Sequence, residues 1–206
     1  MKVFLIGMPA SGKTTVGKRL ARALGARFVD LDGLVVQQTG VTLKQIFKRE
    51  GEWGFRVREA TALLDVVREQ GDVVVATGGG APTFGGNLGV MAAAGAVVYL
   101  RAKVATLAKR RGLLQRPILA AHPGGPAQGL QALYRLRKPF YERAGLVVDV
   151  DGASPGDIAH ALVHEFAGEA HPHWQGHGPA DGHGHGHGHG HGHERGRGRG
   201  RGRKKS

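Results

Sequence analysis

Short apolar runs alternate with longer stretches of mixed polarity along most of this chain. Val3–Ile6 is a short apolar run closed by Gly7, which predicts a buried strand. Asp72–Ala76 (DVVVA), Ala96–Leu100 (AVVYL) and Leu146–Val150 read the same way, and Arg27–Asp30 can be a further strand. Between them the period lengthens. Lys13 to about Leu24, Thr42 to about Glu69 with a break near Gly51, Val104–Arg111, Leu130–Ala144 and Pro155–Phe166 predict helices. Ser154 is an N-cap candidate with Pro155 at the first helical position, and Pro139 is a candidate kink. Arg111–Gly129 carries Pro and Gly without a period and is expected to be a mobile loop. Five strands separated by helices predict a parallel α/β sheet covered on both faces.

The pattern stops near Gly168. From His171 onward the chain carries nine of its twelve histidines and twelve of its 36 glycines, with little apolar content to offset chain entropy. Two regions are therefore expected: a folded domain over 1–168 and a disordered His/Gly- and Arg/Gly-rich tail over 169–206. The formal charge of +13 divides between them, since the tail holds seven Lys/Arg against three Asp/Glu and the body 22 against 13. A body basic on its own account suits anionic ligands of many kinds and does not select nucleic acid. The chain has no cysteine, which excludes disulfides, Cys-ligated zinc, iron–sulfur clusters and thiol catalysis. No apolar run reaches the roughly 18 residues of a membrane span, and the N-terminus lacks a cleavage-site pattern, so a cytoplasmic location is expected.

Chemistry concentrates where the expected strands end. Gly7-Met8-Pro9-Ala10-Ser11-Gly12-Lys13-Thr14 matches G-x-x-x-x-G-K-[ST] and lies between a strand and a helix, the context that motif requires. Its backbone N–H groups and the helix N-terminus cradle phosphate oxygens. Lys13 adds charge at the β- and γ-phosphates, the Thr14 hydroxyl can ligate Mg²⁺, and Thr15 follows in the helix. Asp30-Leu31-Asp32 ends the second strand, at the sheet edge where open α/β folds bind ligands. One carboxylate can face metal and phosphate and the other a substrate hydroxyl; a helix N-cap followed by an exposed acid explains the pair equally well. Thr77-Gly78-Gly79-Gly80 ends the DVVVA strand and lets a substrate approach the backbone, unless it is a bare turn. Arg56, Arg116 and Arg137 offer forked donors for carboxylate or phosphate. Arg101, Lys103, Lys109, Arg110, Arg111 and Arg116 run without an intervening acid, either as a solvated face or as a loop basic enough to close on a nucleotide.

From Met1 to about Phe166 the chain resembles the shikimate kinases, P-loop kinases of small molecules. The resemblance rests on an ordered set: GMPASGKT, FVDLD, IFKREGEWGFR with Glu59 after it, GGGA, QRP and RKPFYERA. It implies a five-stranded parallel sheet with a helical substrate-binding segment and a mobile lid. It implies ATP-dependent phosphorylation of shikimate to 3-phosphoshikimate in aromatic amino-acid biosynthesis, with Mg²⁺. Carried over by position, Asp32 contacts the shikimate hydroxyls and is the candidate base, and Asp30 helps hold Mg²⁺ through water. Arg56 and Arg137 clamp the carboxylate, and Gly78, Gly79 and Gly80 line the substrate. Pro9, Ala10, Ser11, Gly12, Lys13, Thr14 and Thr15 hold ATP, Arg116 reaches the transferring phosphate, and Arg110 and Pro155 flank adenine. Phe47, Phe55 and Glu59 shape or support the pocket.

Two departures stand out. Ala10 occupies a position where the family commonly has Gly, at a cost of ~1 kcal/mol if the backbone there needs φ > 0. The lid is one residue shorter than in some members, which leaves Lys109 or Arg111 as alternatives to Arg110. Other readings compete with the first. A gluconate-type kinase also takes a carboxylate, and a nickel-handling P-loop NTPase would use the histidines, although no guanine-reading motif is present. An RNA-binding role rests on the Arg-Gly run alone, since no RNA-recognition motif is present. The expected partners are ATP and shikimate, for a monomer with no membrane and no specific nucleic acid. The tail histidines can bind Ni²⁺, Zn²⁺ or Cu²⁺ without fixed geometry, or serve only as a solvated extension, and the terminal arginines can bind polyanions.

Overall fold

In the computed structural model the described residues are 1–110, Leu113, Leu119 and 122–167. Arg111, the lid candidate Arg116 and the tail lie outside them. Five parallel strands, β1 (Lys2–Ile6), β2 (Arg27–Asp30), β3 (Val73–Ala76), β4 (Ala96–Arg101) and β5 (Leu146–Asp149), form one sheet in the order β2-β3-β1-β4-β5. From β1 the chain runs to the edge strand β2, returns to β3 between the two, and then crosses to β4 and β5 on the other side of β1, so its order reverses at the central strand. That reversal places a ligand crevice at the carboxyl ends.

The central strands are buried on both faces, which is why they read as unbroken apolar runs rather than alternating ones. Seven helices among the described residues surround the sheet: α1 (Lys13–Ala23), α2 (Leu31–Thr39), α3 (Leu43–Arg68), α4 (Asn87–Ala94), α5 (Val104–Ala108), α6 (Gly125–Tyr141) and α7 (Pro155–Phe166). A Cβ on Gly17 of α1 would meet the Phe28 ring at 2.7 Å and Leu5 at 3.1 Å, so this glycine lets α1 sit close on the sheet. The other side of α1 packs against α7.

Several stretches differ from the sequence expectation, among them the helix expected over Val104–Arg111, which ends at Ala108. Residues 31–39 and 87–94 are helical where no element was expected. Both are short; Gly33 interrupts the first, and the second starts after Gly86 in the left-handed region at φ 78°. The helix expected from Leu130 begins at Gly125, with Pro126 in its first turn, so the expected loop ends earlier. The break near Gly51 is present at φ 70°, where the two halves of α3 meet. Ser154 caps α7 through a reciprocal pair with Asp157.

Candidate active site

The turn after β1 carries the phosphate-loop sequence, and its backbone is arranged for anions. Gly12 caps α1 at φ 101°. A side chain on Gly7, at φ 140°, would press within 2.7 Å of the Leu100 carbonyl. Ala10 holds φ 63° and is the one non-glycine residue at positive φ among the described residues. Lys13 is buried, and its ammonium donates to the carbonyls of Gly7 and Met8, each at 2.9 Å. The guanidinium of Arg110 lies beside Gly12, 3.9 Å from where a Cβ would stand. It therefore sits over the phosphate loop. Thr15 is exposed on α1, and Pro155 opens α7.

Asp30 and Asp32 divide as their spacing allowed. Asp30 is the last residue of β2 and also the N-cap of α2, accepting from the Gly33 N–H at 3.4 Å. Its other oxygen accepts from the Thr14 hydroxyl at 2.8 Å, which ties it to the phosphate loop. The helix-cap reading thus holds for Asp30, and the same carboxylate also reaches the phosphate loop. Thr14 and Asp30 present hard oxygen donors side by side at the loop, a set that fits Mg²⁺. Leu31 is fully buried and fixes the turn, so Asp32, in the first turn of α2, faces the opposite side.

Asp32 lines a cavity of about 560 Å³ together with Pro9, Phe47, Phe55, Arg56, Gly78, Gly79, Gly80 and Arg137. Each of the three glycines backs a charged side chain. A Cβ on Gly78 would strike the Glu59 carboxylate and lie 3.0 Å from Asp32 Oδ1. One on Gly79 would lie 3.0 Å from Arg137 Nη1, and one on Gly80 would strike the Arg56 guanidinium. None of the three has positive φ, so glycine is needed here for space. The sequence suggested room for a substrate; the room is used first by the protein's own carboxylates and guanidinia.

Glu59 holds this arrangement. On α3 it takes a place in the buried stripe of Phe55, Ala62, Leu63 and Val66. Its Oε2 accepts from Arg56 Nη1 at 2.6 Å, and Glu52 accepts from Arg56 Nη2 at 3.2 Å. Burial pushes the Glu59 carboxyl above its ordinary value; the Arg56 guanidinium opposes this without cancelling it. Phe55 lies under the Arg56 guanidinium at 5.0 Å and against Phe47 at 4.7 Å. Arg56 is therefore held by charge on two sides and by a ring on a third.

Tyr141 escaped the sequence reading. Its hydroxyl donates to the Gly79 carbonyl at 2.5 Å, and burial pushes its pKa up to about 12. It fastens the glycine turn to α6, the helix that carries Arg137. A buried tyrosine one turn after an arginine was the available signal, and its partner 62 residues away was not visible. Leu43, Lys44, Glu52, Leu119 and Leu133 also line the cavity and were not singled out.

A phosphate loop, acids at the end of β2 and two arginines over a glycine turn are parts that a kinase of a small acid needs, and comparison with known proteins gives the acid. The shikimate kinase family model matches residues 9–167. The chain belongs to the shikimate kinase family. The shikimate kinase of Halorhodospira halophila is 41% identical over 170 residues, 82% of this chain and 94% of that protein. That of Nitrosomonas europaea is 44% identical over 166 residues, 80% of this chain and 77% of that protein. Among solved structures, the shikimate kinase from Acinetobacter baumannii in complex with shikimate superposes with a TM-score of 0.74 at 34% identity, covering 81% of this chain and 93% of that one. ATP-dependent phosphorylation of shikimate is the activity of this family, and the gluconate-type and nickel-handling alternatives give way to it. Among the described residues, no helix is long and apolar enough to cross a membrane.

Proposed function

We propose that shikimate binds in the cavity over Gly78–Gly80, with its carboxylate between Arg56 and Arg137 and its reacting hydroxyl on Asp32. The observation that carries this reading is the convergence of those three side chains on one cavity whose rim includes Pro9 of the phosphate loop. A volume of about 560 Å³ suits a small cyclic acid. Two guanidinia match a carboxylate by forked, charge-assisted hydrogen bonds. Pro9 belongs to both walls, so an acceptor on the glycine turn lies next to a nucleotide on the loop.

Asp32 orients the hydroxyl and accepts its proton as the oxygen attacks the γ-phosphorus of ATP. Transfer through a largely dissociative transition state needs alignment and charge compensation more than covalent help. Lys13 supplies part of that charge by exchanging the Gly7 and Met8 carbonyls for phosphate oxygens. Thr14 and Asp30 would hold Mg²⁺, Asp30 through water, and the ion when bound neutralises charge on the β- and γ-phosphates. In this reading Arg110, whose guanidinium lies beside Gly12, contacts the nucleotide, and Pro155 flanks the adenine. Arg116 is proposed to reach the transferring phosphate. A cytoplasmic monomer suffices for this chemistry, because every group named comes from one chain.

The deciding experiment measures ADP release from Mg·ATP with shikimate, gluconate or nucleoside monophosphates as acceptor. Turnover with shikimate alone, raised in KM by Arg137→Ala with little change in the KM for ATP, is the expected result. Equal turnover with gluconate, or an Arg137→Ala enzyme with unchanged KM for shikimate, would remove the proposed clamp.

A further inference from the structure

Gly79 stands between the phosphate loop and the arginine clamp. A Cβ there would lie 3.0 Å from Pro9 Cδ on the loop and 3.0 Å from Arg137 Nη1. The Gly79 carbonyl accepts from the Tyr141 hydroxyl at 2.5 Å. The same hydroxyl lies 3.8 Å from the sulfur of Met8, whose carbonyl accepts from the Lys13 ammonium at 2.9 Å. A phenol has one proton to give, and the carbonyl is the nearer and stronger acceptor than a thioether. Tyr141 itself does not line the acceptor cavity.

We propose that Tyr141 is a positioning residue for phosphoryl transfer: through Gly79 and Arg137 it sets how far the acceptor stands from the phosphate loop. The assignment rests on Arg137 being the carboxylate clamp. The Tyr141 ring is the fixed point. It is fully buried and packs against the ring of Tyr99 on β4, with centroids 5.1 Å apart. Tyr99 is in register with Ile6, the last residue of β1 before the loop. The phenol is thus seated on the central sheet, beside the strand that leads into the phosphate loop.

The end of α6 needs such a seat. Pro139 has no N–H to give the Arg135 carbonyl, so the turn that carries Arg137 lacks one helix bond. Tyr141 is the last residue of that helix, and its hydrogen bond to Gly79 holds the weakened end from outside. The donor is permanent. Burial pushes the phenol up to about 12, against the pull of the Arg137 guanidinium, so it stays protonated at neutral pH. Without the hydroxyl, the glycine turn and the Arg137 turn each lose the contact that fixes one against the other.

The test compares Tyr141→Phe, Tyr99→Phe, Arg137→Ala and the double variant Tyr141→Phe/Arg137→Ala in the full chain. Shikimate turnover is measured with both substrates varied, and ADP affinity is read by calorimetry. Tyr141→Phe keeps the ring and loses the donor. Its kcat/KM for shikimate should fall at least about tenfold, through a raised KM and a lowered kcat, with ADP affinity within about twofold of the parent. Tyr99→Phe removes the hydroxyl of the other ring in the buried pair and should keep the parent's KM for shikimate. The double variant should lose well under the product of the single losses, because the hydroxyl acts through the clamp. Unchanged shikimate kinetics in Tyr141→Phe, an equal loss in Tyr99→Phe, or single losses that multiply would each overturn the proposal and leave the clamp standing. ADP affinity falling as far as shikimate affinity would make Tyr141 a support of the whole fold and overturn it too. A parent-like KM for shikimate in Arg137→Ala would instead remove the clamp, and this proposal with it.

Discussion

The phosphate loop takes its groups from consecutive residues, Gly7 to Thr14, whereas the proposed acceptor cavity gathers Asp32 from α2, Arg56 from α3 with Glu59 behind it, Gly78–Gly80 from the turn after β3 and Arg137 from α6. The loop works mainly through backbone, with glycines set by φ at Gly7 and Gly12. The cavity works through side chains, with glycines set by volume. The same residue type thus answers two different demands. Substitutions in the two regions should fail differently: one through nucleotide binding and backbone strain, the other through acceptor placement.

The largest effect is expected at Asp32. Asp32→Asn keeps the shape and loses the proton acceptor, and should lower kcat by roughly 10²–10⁴-fold with the KM for ATP nearly unchanged. Steady-state kinetics with both substrates varied decides it. A loss confined to KM would make Asp32 an anchor for the hydroxyl instead of its base.

Gly80→Ala tests the volume argument. A methyl there meets the Arg56 guanidinium, which cannot swing away without leaving Glu59. Displacement of a clamp by about an ångström should cost about 10²-fold in kcat/KM for shikimate and leave ATP binding intact. The companion Gly12→Ala should reverse the pattern and weaken ATP first, because φ 101° is the constraint there. Equal damage to both substrates in both variants would dissolve the contrast between the two regions.

How much of this was legible beforehand follows the same division. The phosphate loop is contiguous, so residues 7–14 and the strand and helix around them could be read directly. The proposed acceptor residues could be named only because their order matched a known family; Arg137 by itself is one basic residue in a basic helix. Glu59 could be assigned a supporting place, but not its contact with Gly78 or its hold on Arg56. Tyr141 was missed because its function lies in a hydrogen bond to Gly79 across the fold. The helices α2 and α4 were missed because short segments containing Gly33 and Gly89 have weak local preference and are held by packing.

Glu59 gives the contrast a pH dependence. Burial holds its carboxyl above the ordinary value of 4.5, so the folded protein binds that proton more tightly than the unfolded chain. Its contribution is therefore most favourable below the ordinary value and declines as pH rises through the raised one. Glu59→Gln should flatten the fall in stability over that window, read as urea midpoints at several pH values. The same variant frees Arg56 and should raise the KM for shikimate. A pH slope identical to that of the parent protein would mean that Arg56 fully compensates the buried charge.

The smallest effect belongs to the phosphate loop itself. Ala10 sits at φ 63°, where its Cβ crowds the following carbonyl oxygen, at a cost of about 1–2 kcal/mol relative to a relaxed residue. Glycine removes that crowding but adds freedom to the unfolded chain, worth about 0.4–1 kcal/mol in the other direction. Ala10→Gly should therefore stabilise the protein by roughly 0.5–1 kcal/mol, measured by urea unfolding without nucleotide. A neutral or destabilising result would show that alanine's rigidity in the unfolded state outweighs its strain in the loop. Gain in stability with unchanged shikimate KM would place the strain wholly on the nucleotide side, because Ala10 does not line the proposed acceptor cavity.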